Sequence, residues 1–308
     1  MANVKHQKKK ILVIVGPTAS GKSELAVSLA KRYHGEIISA DSRQVYKFLD
    51  VGSNKVPGNW TKDIYVYKKI PHYCIDFVHP KKNFTVAEYK DHANEAIKNI
   101  TAREKLPILV GGTGFYISAV VDGISLPEVP PNAALRKKLE KKSVAELFRL
   151  LQKKDPARAK TIDPHNPRRL IRALEIIAAT GRKVPKFSQK NSYNSLVMGI
   201  KREDSEIKKR IESMVQRMMK TGLLREVRKL RKLGISKKRI YELGFEYSSA
   251  LECIEKKISK KDLPLILAKE NWSYVKRQMT WFKKDKRIHW IKNSIEADTL
   301  VKTFLNKK

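Results

Sequence analysis

The chain has 308 residues, 41% of them hydrophobic, and a mean hydropathy of −0.48, which is enough apolar material for a large core in a water-soluble protein. No apolar run approaches the roughly 20 residues of a membrane span, and the apolar run after the basic start is too short for a secretory signal, so a cytoplasmic protein is expected. Its 66 Lys and Arg against 31 Asp and Glu leave a net charge of +35, which favours a polyanionic partner such as nucleic acid.

In chain order, "ILVIV" at 11–15 is a continuous apolar run, as in a strand buried on both faces. A helix is expected after it, with Leu25, Ala26, Leu29, Ala30 and Tyr33 on one stripe. "EIISA" at 36–40 reads as a second strand ending at Asp41. "FTVAEYKDHANEAIKNI" reads as a helix, because Thr85 and Glu88 have capping-box spacing and Tyr89, Ala93, Ala96, Ile97 and Ile100 recur on one face. "LPILVGG" at 106–112 is a third buried strand. This alternation predicts an α/β fold, a P-loop NTPase-like doubly wound parallel sheet, with ligands beyond the carboxyl ends of the strands. Gly16, Asp41 and Thr113 all lie at such ends.

From about Ser125 the chain becomes proline-punctuated, basic and helical, as in an inserted helical subdomain. The expected division is 1–125 for the first part of the core, 126–194 for a helical insertion, and 195–308 for the return to the core and the C-terminal helices. "NSLVMGIKRED" reads as a returning strand. A long helix then carries Ile207, Ile211, Met214, Val215 and Met218 on one stripe. Cys74 and Cys253 are far apart and lack the spacing of a zinc site or disulfide framework, so two reduced thiols are expected.

Gly16, Pro17, Thr18, Ala19, Ser20, Gly21, Lys22 and Ser23 match G-x-x-x-x-G-K-[S/T] between a predicted strand and a predicted helix. The glycines let backbone amides turn towards an anion, Lys22 adds charge, and the Ser23 hydroxyl is placed to ligate Mg²⁺. The loop binds phosphates without naming the molecule that carries them. A kinase or ATPase fits poorly: no predicted strand ends in an obvious metal-binding acid of the Walker B kind, the best candidate, "LPILVGGTG", ending in glycine, and the basic residues are not gathered into an arginine-rich lid. Instead "SADSRQVY" puts Asp41, Arg43, Gln44 and Tyr46 beyond strand two, a set suited to deprotonating and hydrogen-bonding a heterocycle.

The motifs "GPTASGKS", "SADSRQVYK", "GGTGFYI", "DPHNPRRLIRALE" and "RQMTWF" stand in an order that resembles the bacterial-type tRNA dimethylallyltransferases of the IPP transferase family, over about residues 11–290. The resemblance implies transfer of a dimethylallyl group from dimethylallyl diphosphate to N6 of an adenosine beside the anticodon, in the tRNA anticodon stem-loop, with Mg²⁺ as cofactor. It implies that the loop grips the donor's diphosphate, that Asp41 is the base, and that Thr113 bonds near the bridging oxygen. Contacts to tRNA are expected from Asp41, Ser42, Arg43 and Gln44, with Gln44 a reader of the target base. Further contacts are expected from Arg136, from Arg168, Arg169, Leu170, Ile171 and Arg172 in "NPRRLIR", and from Arg277 and Gln278. The protein is expected to act as a monomer.

Two departures stand out. The arginine that such chains place four residues before the methionine of "M…GL" is Met214 here, and "DVGSNKVP" carries Ser53 and Asn54 where threonine-containing wording is usual. The rival readings are an adenylate dimethylallyltransferase, a P-loop small-molecule kinase and a non-catalytic RNA-binding module.

Overall fold

In the computed structural model, which describes residues 8–125, 127–185 and 193–307, the first apolar run lies inside a sheet. Residues 1–7 and the expected boundary at residue 126 lie outside the described residues. The chain runs through β1 (Lys9–Val15), α1 (Lys22–Arg32), β2 (Gly35–Ser39), β3 (Asn59–Thr61), β4 (Ile64–Tyr67) and β5 (Ile70–Tyr73). It continues through α2 (Val86–Ala102), β6 (Leu106–Gly111), α3 (Gly114–Val121), α4 (Ala133–Leu139), α5 (Val144–Lys154), α6 (Pro156–Ala159) and α7 (Pro167–Thr180). The last part comprises β7 (Tyr193–Ile200), α8 (Asp204–Thr221), α9 (Leu223–Lys232), α10 (Lys237–Leu243), α11 (Phe245–Ile254), α12 (Leu263–Phe282), β8 (His289–Ile291) and α13 (Ser294–Asn306). Among the described residues, no helix is long and apolar enough to cross a membrane.

The strands lie in the order β3-β4-β5-β2-β6-β1-β7-β8, and every pairing from β5 to β8 is parallel. The expected α/β class is what the chain adopts. Alternation along β1 shows why it is doubly wound. Ile11, Val13 and Val15 enter one core with Tyr89, Ile97, Ile117, Ile211 and Val275, while Leu12 and Ile14 enter another with Ala26, Leu29, Ala297 and Val301. A strand between two helical layers needs apolar residues at every position, which is why β1 reads as a run. The Thr85–Glu88 capping box forms as its spacing predicts: Thr85 Oγ1 accepts from the Glu88 amide, and Glu88 returns a bond to the Thr85 amide.

Two parts were not expected. β3 and β4 add an antiparallel extension beside β5, and α9 to α11 fill 223–254 between the long helix and the final one. The chain divides into two compact units, Met1–Gly123 with Asn191–Lys308, and Ile124–Lys190. The smaller unit has its own core, in which Leu147 and Leu151 of α5 meet Leu170, Leu174 and Ile177 of α7. Cys74 is buried in the larger unit, where burial pushes its thiol up to about 12, and Cys253 is half-buried. Both are free thiols.

Candidate active site

β1, β2 and β6 end side by side, and the three loops that leave them are tied together by hydrogen bonds. Thr113 N donates to the Ala40 carbonyl (3.1 Å), and Ser42 N donates to Thr113 Oγ1 (3.1 Å). Asp41 and Thr113 are thereby held next to each other. Asp41 Oδ1 accepts from the amides of Arg43 (2.8 Å) and Gln44 (3.3 Å), forming an Asx-type turn. Its other oxygen, Oδ2, makes no hydrogen bond among the described residues. The carboxylate is therefore oriented through one oxygen and free at the other, which suits a proton acceptor better than a structural ion pair.

The phosphate loop is braced from two sides. Gln278 of α12 accepts from Thr18 N (2.9 Å) and donates to the Gly112 carbonyl (3.0 Å), strapping the loop to the turn after β6. A Cβ on Gly112 would lie 2.3 Å from Gln278 Nε2, and one on Gly114 would lie 2.3 Å from the Trp281 indole. The glycines of "GGTG" thus make room for the side chains of "RQMTWF". On the other side, Arg202 Nε donates to the Ser20 carbonyl (2.9 Å). Lys22 Nζ donates to the Pro17 carbonyl (3.2 Å); burial lowers its pKa, while the charges of Asp41 and Glu24 oppose that shift. Ala19 and Gly21 sit at φ 64° and 94°, turning successive amides into an anion-binding concavity.

A cavity of about 880 Å³ and a smaller one of about 70 Å³ meet at this loop, sharing Ala19, Lys22 and Ser23. The larger is bordered by Trp60, Tyr65, Arg210 and Arg217, and the smaller reaches Asp41 and His72. Replacing Gln278 by Leu is expected to leave the Thr18 amide and the Gly112 carbonyl unpaired, costing about 2–4 kcal/mol in urea unfolding.

Several expected RNA contacts are placed otherwise. Gln278 is buried and is a structural strap, not an RNA-facing residue. Gln44 is drawn inward, its amide donating to the carbonyls of Ser53 and Asn54 (both 3.3 Å), so it closes the loop at 53–54 and its donors are not free for a base. In the smaller unit, Leu170 and Ile171 are core side chains with no surface to offer RNA. Arg136 and Arg172 do not project freely either. Both bind Glu175, and Arg172 also donates to the Val129 carbonyl (2.8 Å). Arg168 and Arg169 stay exposed, with no side-chain ion pair among the described residues. Arg277 is exposed, its guanidinium 5.5 Å from the Tyr274 ring centre. Ser42 and Arg43 are half-buried beside Asp41. Met214 is buried and borders the larger cavity, so no charge comes from that position.

Sequence reasoning missed Tyr274 and Glu246. Burial first, then the Asp41 charge, pushes the Tyr274 hydroxyl up to about 12. Burial likewise raises Glu246 to about 7, against its own backbone amide and Arg43. A signal for Tyr274 existed: with Gln278 and Trp281 it has the 0, 4, 7 spacing of one helix face.

Fold and site together define a P-loop-like protein of the α/β class with an anion-binding turn beside an oriented carboxylate. The profile of the IPP transferase family matches residues 44–285. A tRNA dimethylallyltransferase of Pelotomaculum thermopropionicum is 38% identical over 300 residues, 95% of this chain and 94% of its own. The structure of a tRNA isopentenylpyrophosphate transferase from Bacillus halodurans is similar with a TM-score of 0.71 at 33% identity, covering 97% of each chain. The corresponding structure from Staphylococcus epidermidis gives 0.68 at 32% identity, covering 98% of this chain and 100% of its own. The chain belongs to the IPP transferase family.

Proposed function

We propose that this protein transfers a dimethylallyl group from dimethylallyl diphosphate to the exocyclic N6 of an adenosine next to the anticodon of tRNA, releasing pyrophosphate. The observation that carries the reading is the oriented carboxylate of Asp41 in the cavity lined by the phosphate loop, with Thr113 tied to the next residue through the Ser42 amide. The names of the relatives, tRNA dimethylallyltransferases, point the same way. The adenine N6 lone pair is delocalised into the ring, so attack on the allylic carbon needs a positioned base. Asp41 Oδ2 accepts the N6 proton as the N–C bond forms. The C–O bond breaks with its electron pair going to pyrophosphate, whose growing charge the loop amides and Lys22 hold. The Thr113 hydroxyl donates towards the bridging oxygen. Ile75 and Val110, in the wall of the smaller cavity, offer the five-carbon group an apolar surface.

Mg²⁺ fits the donor set. Ser23 borders both cavities, so its hydroxyl would offer a protein oxygen to an ion whose other ligands are phosphate and water. When bound, it neutralises charge on the diphosphate. The RNA is attracted by the +35 charge and positioned by Arg168 and Arg169 through phosphate contacts. The protein acts as a cytoplasmic monomer.

Labelled dimethylallyl diphosphate, unmodified tRNA and Mg²⁺ are expected to give N6-prenyladenosine in the RNA, read by nucleoside mass spectrometry. Absence of transfer by folded protein overturns the reading. Label appearing on added AMP in preference to tRNA moves the acceptor from RNA to the free nucleotide.

A further inference from the structure

Where β7 meets α8, three charged side chains follow one another at helical spacing. Arg202 Nη1 and Glu206 Oε1 are 2.8 Å apart, and Arg210 Nε reaches the same oxygen at 3.0 Å. One carboxylate thus gathers two guanidinium groups. Pairs four residues apart on an exposed helix contribute only a few tenths of a kcal/mol, so helix stability is a weak reason for the arrangement. What it achieves is placement. Arg202 is also fixed through Nε to the Ser20 carbonyl, inside the phosphate loop. A Cβ built on Gly21, the residue before Lys22, would lie 3.7 Å from Arg202 Nη2 and 3.9 Å from Arg210 Nη1. Those nitrogens, and Arg210 Nη2, make no hydrogen bond among the described residues. Arg210 borders the larger cavity together with Gly21, Lys22 and Ser23.

The remaining cation of the loop, Lys22, is turned onto the Pro17 carbonyl, and burial works against its charge. Two guanidinium groups stand over the same loop, with planar donors suited to phosphate oxygens. We propose that Arg202 and Arg210, gathered by Glu206, complete the diphosphate site: Arg210 binds the donor's terminal phosphate, and Arg202 is a positioning residue that sets the loop through Ser20. The proposal rests on the reading of the donor as a prenyl diphosphate. It places the second source of positive charge on the α8 side of the loop.

The test uses the full chain and inorganic pyrophosphate as the probe, measured by calorimetry without tRNA. Arg210→Ala is expected to weaken pyrophosphate binding about 10- to 100-fold. It should raise KM for dimethylallyl diphosphate by a similar factor and leave KM for tRNA within about two-fold of wild type. Arg210→Lys keeps the charge without the fork and should recover part of the loss. Arg202→Lys should lower kcat as well, because the loop loses its Nε anchor. Pyrophosphate affinity unchanged in Arg210→Ala, with a wild-type melting temperature, overturns the proposal. So does a wild-type protein that binds no pyrophosphate. Should wild type bind pyrophosphate through Arg210 and yet prenylate no RNA, the diphosphate site stands and the proposed reaction falls.

Discussion

Replacing Asp41 by Asn is expected to lower kcat about 10²- to 10⁴-fold while leaving KM for tRNA within a few-fold of wild type. The reasoning starts from what the substitution keeps. Asn retains the oxygen that accepts from the amides of Arg43 and Gln44, so the turn after β2 and its tie to Thr113 survive. What disappears is the charge and the second oxygen, the one without a protein partner. A loss confined to turnover assigns Asp41 to the chemical step, and a variant with wild-type kcat removes it as base. A second effect follows from its neighbour. The Asp41 charge opposes the lowering of the Lys22 pKa by burial, so in Asp41→Asn that pKa falls further. KM for dimethylallyl diphosphate should therefore begin to rise at a lower pH in the variant than in wild type, because Lys22 loses its proton earlier on the way up.

The parts of this site that were legible in the sequence are those made by neighbours in the chain. Gly16 to Ser23 form an anion-binding turn from consecutive residues, and "ILVIV", "EIISA" and "LPILVGG" announce buried strands because a two-faced sheet is filled mainly by apolar residues, with Glu36 and Ser39 the buried polar exceptions in β2. The Thr85–Glu88 box is likewise local. The β4–β5 hairpin escaped notice for a definable reason. Tyr67 pairs with Ile70, so the two-residue loop is Lys68–Lys69, and both sit at positive φ, 50° and 66°. That conformation is usually announced by Asn-Gly or Asp-Gly, and two lysines give no such signal. The bracing role of Gln278 is not legible in the sequence because its partners, Thr18 and Gly112, lie 260 and 166 residues away. In "NPRRLIR", Arg168 and Arg169 face solvent, whereas Arg172 is turned onto Glu175. Glu175, three residues on from Arg172, was visible; Arg136, its other partner 39 residues earlier, was not.

That inward cluster leads to a large stability effect expected of a single substitution in the smaller unit. Glu175 has a side chain 1% exposed, and accepts from Arg136 Nε and Nη2 (both 2.8 Å), from the Asn132 amide (2.6 Å) and from Arg172. It joins the start of α4 to the middle of α7. Burial alone would raise its pKa, yet the bonds from Arg136, Asn132 and Arg172 outweigh that and hold it at about 2, down from 4.5. A carboxylate depressed in this way stabilises the fold above its unfolded pKa, and the contribution is lost as pH falls from about 4.5 towards 2. Glu175→Ala is therefore expected to destabilise the Ile124–Lys190 unit by about 3 kcal/mol at pH 7, with the gap between variant and wild type closing over that acid window. Its arginine partners are about one-third exposed and can turn to water, which keeps the cost at the lower end for a broken buried pair. Hydrogen exchange at the amides of Leu151 and Leu174 reads this unit separately from the larger one. Equal protection in variant and wild type at pH 7 would show that the arginines are not held through Glu175. Where protection falls, KM for tRNA should rise with kcat little changed, because Arg168 and Arg169 depend on α7 to be presented together while Asp41 and the phosphate loop lie in the larger unit.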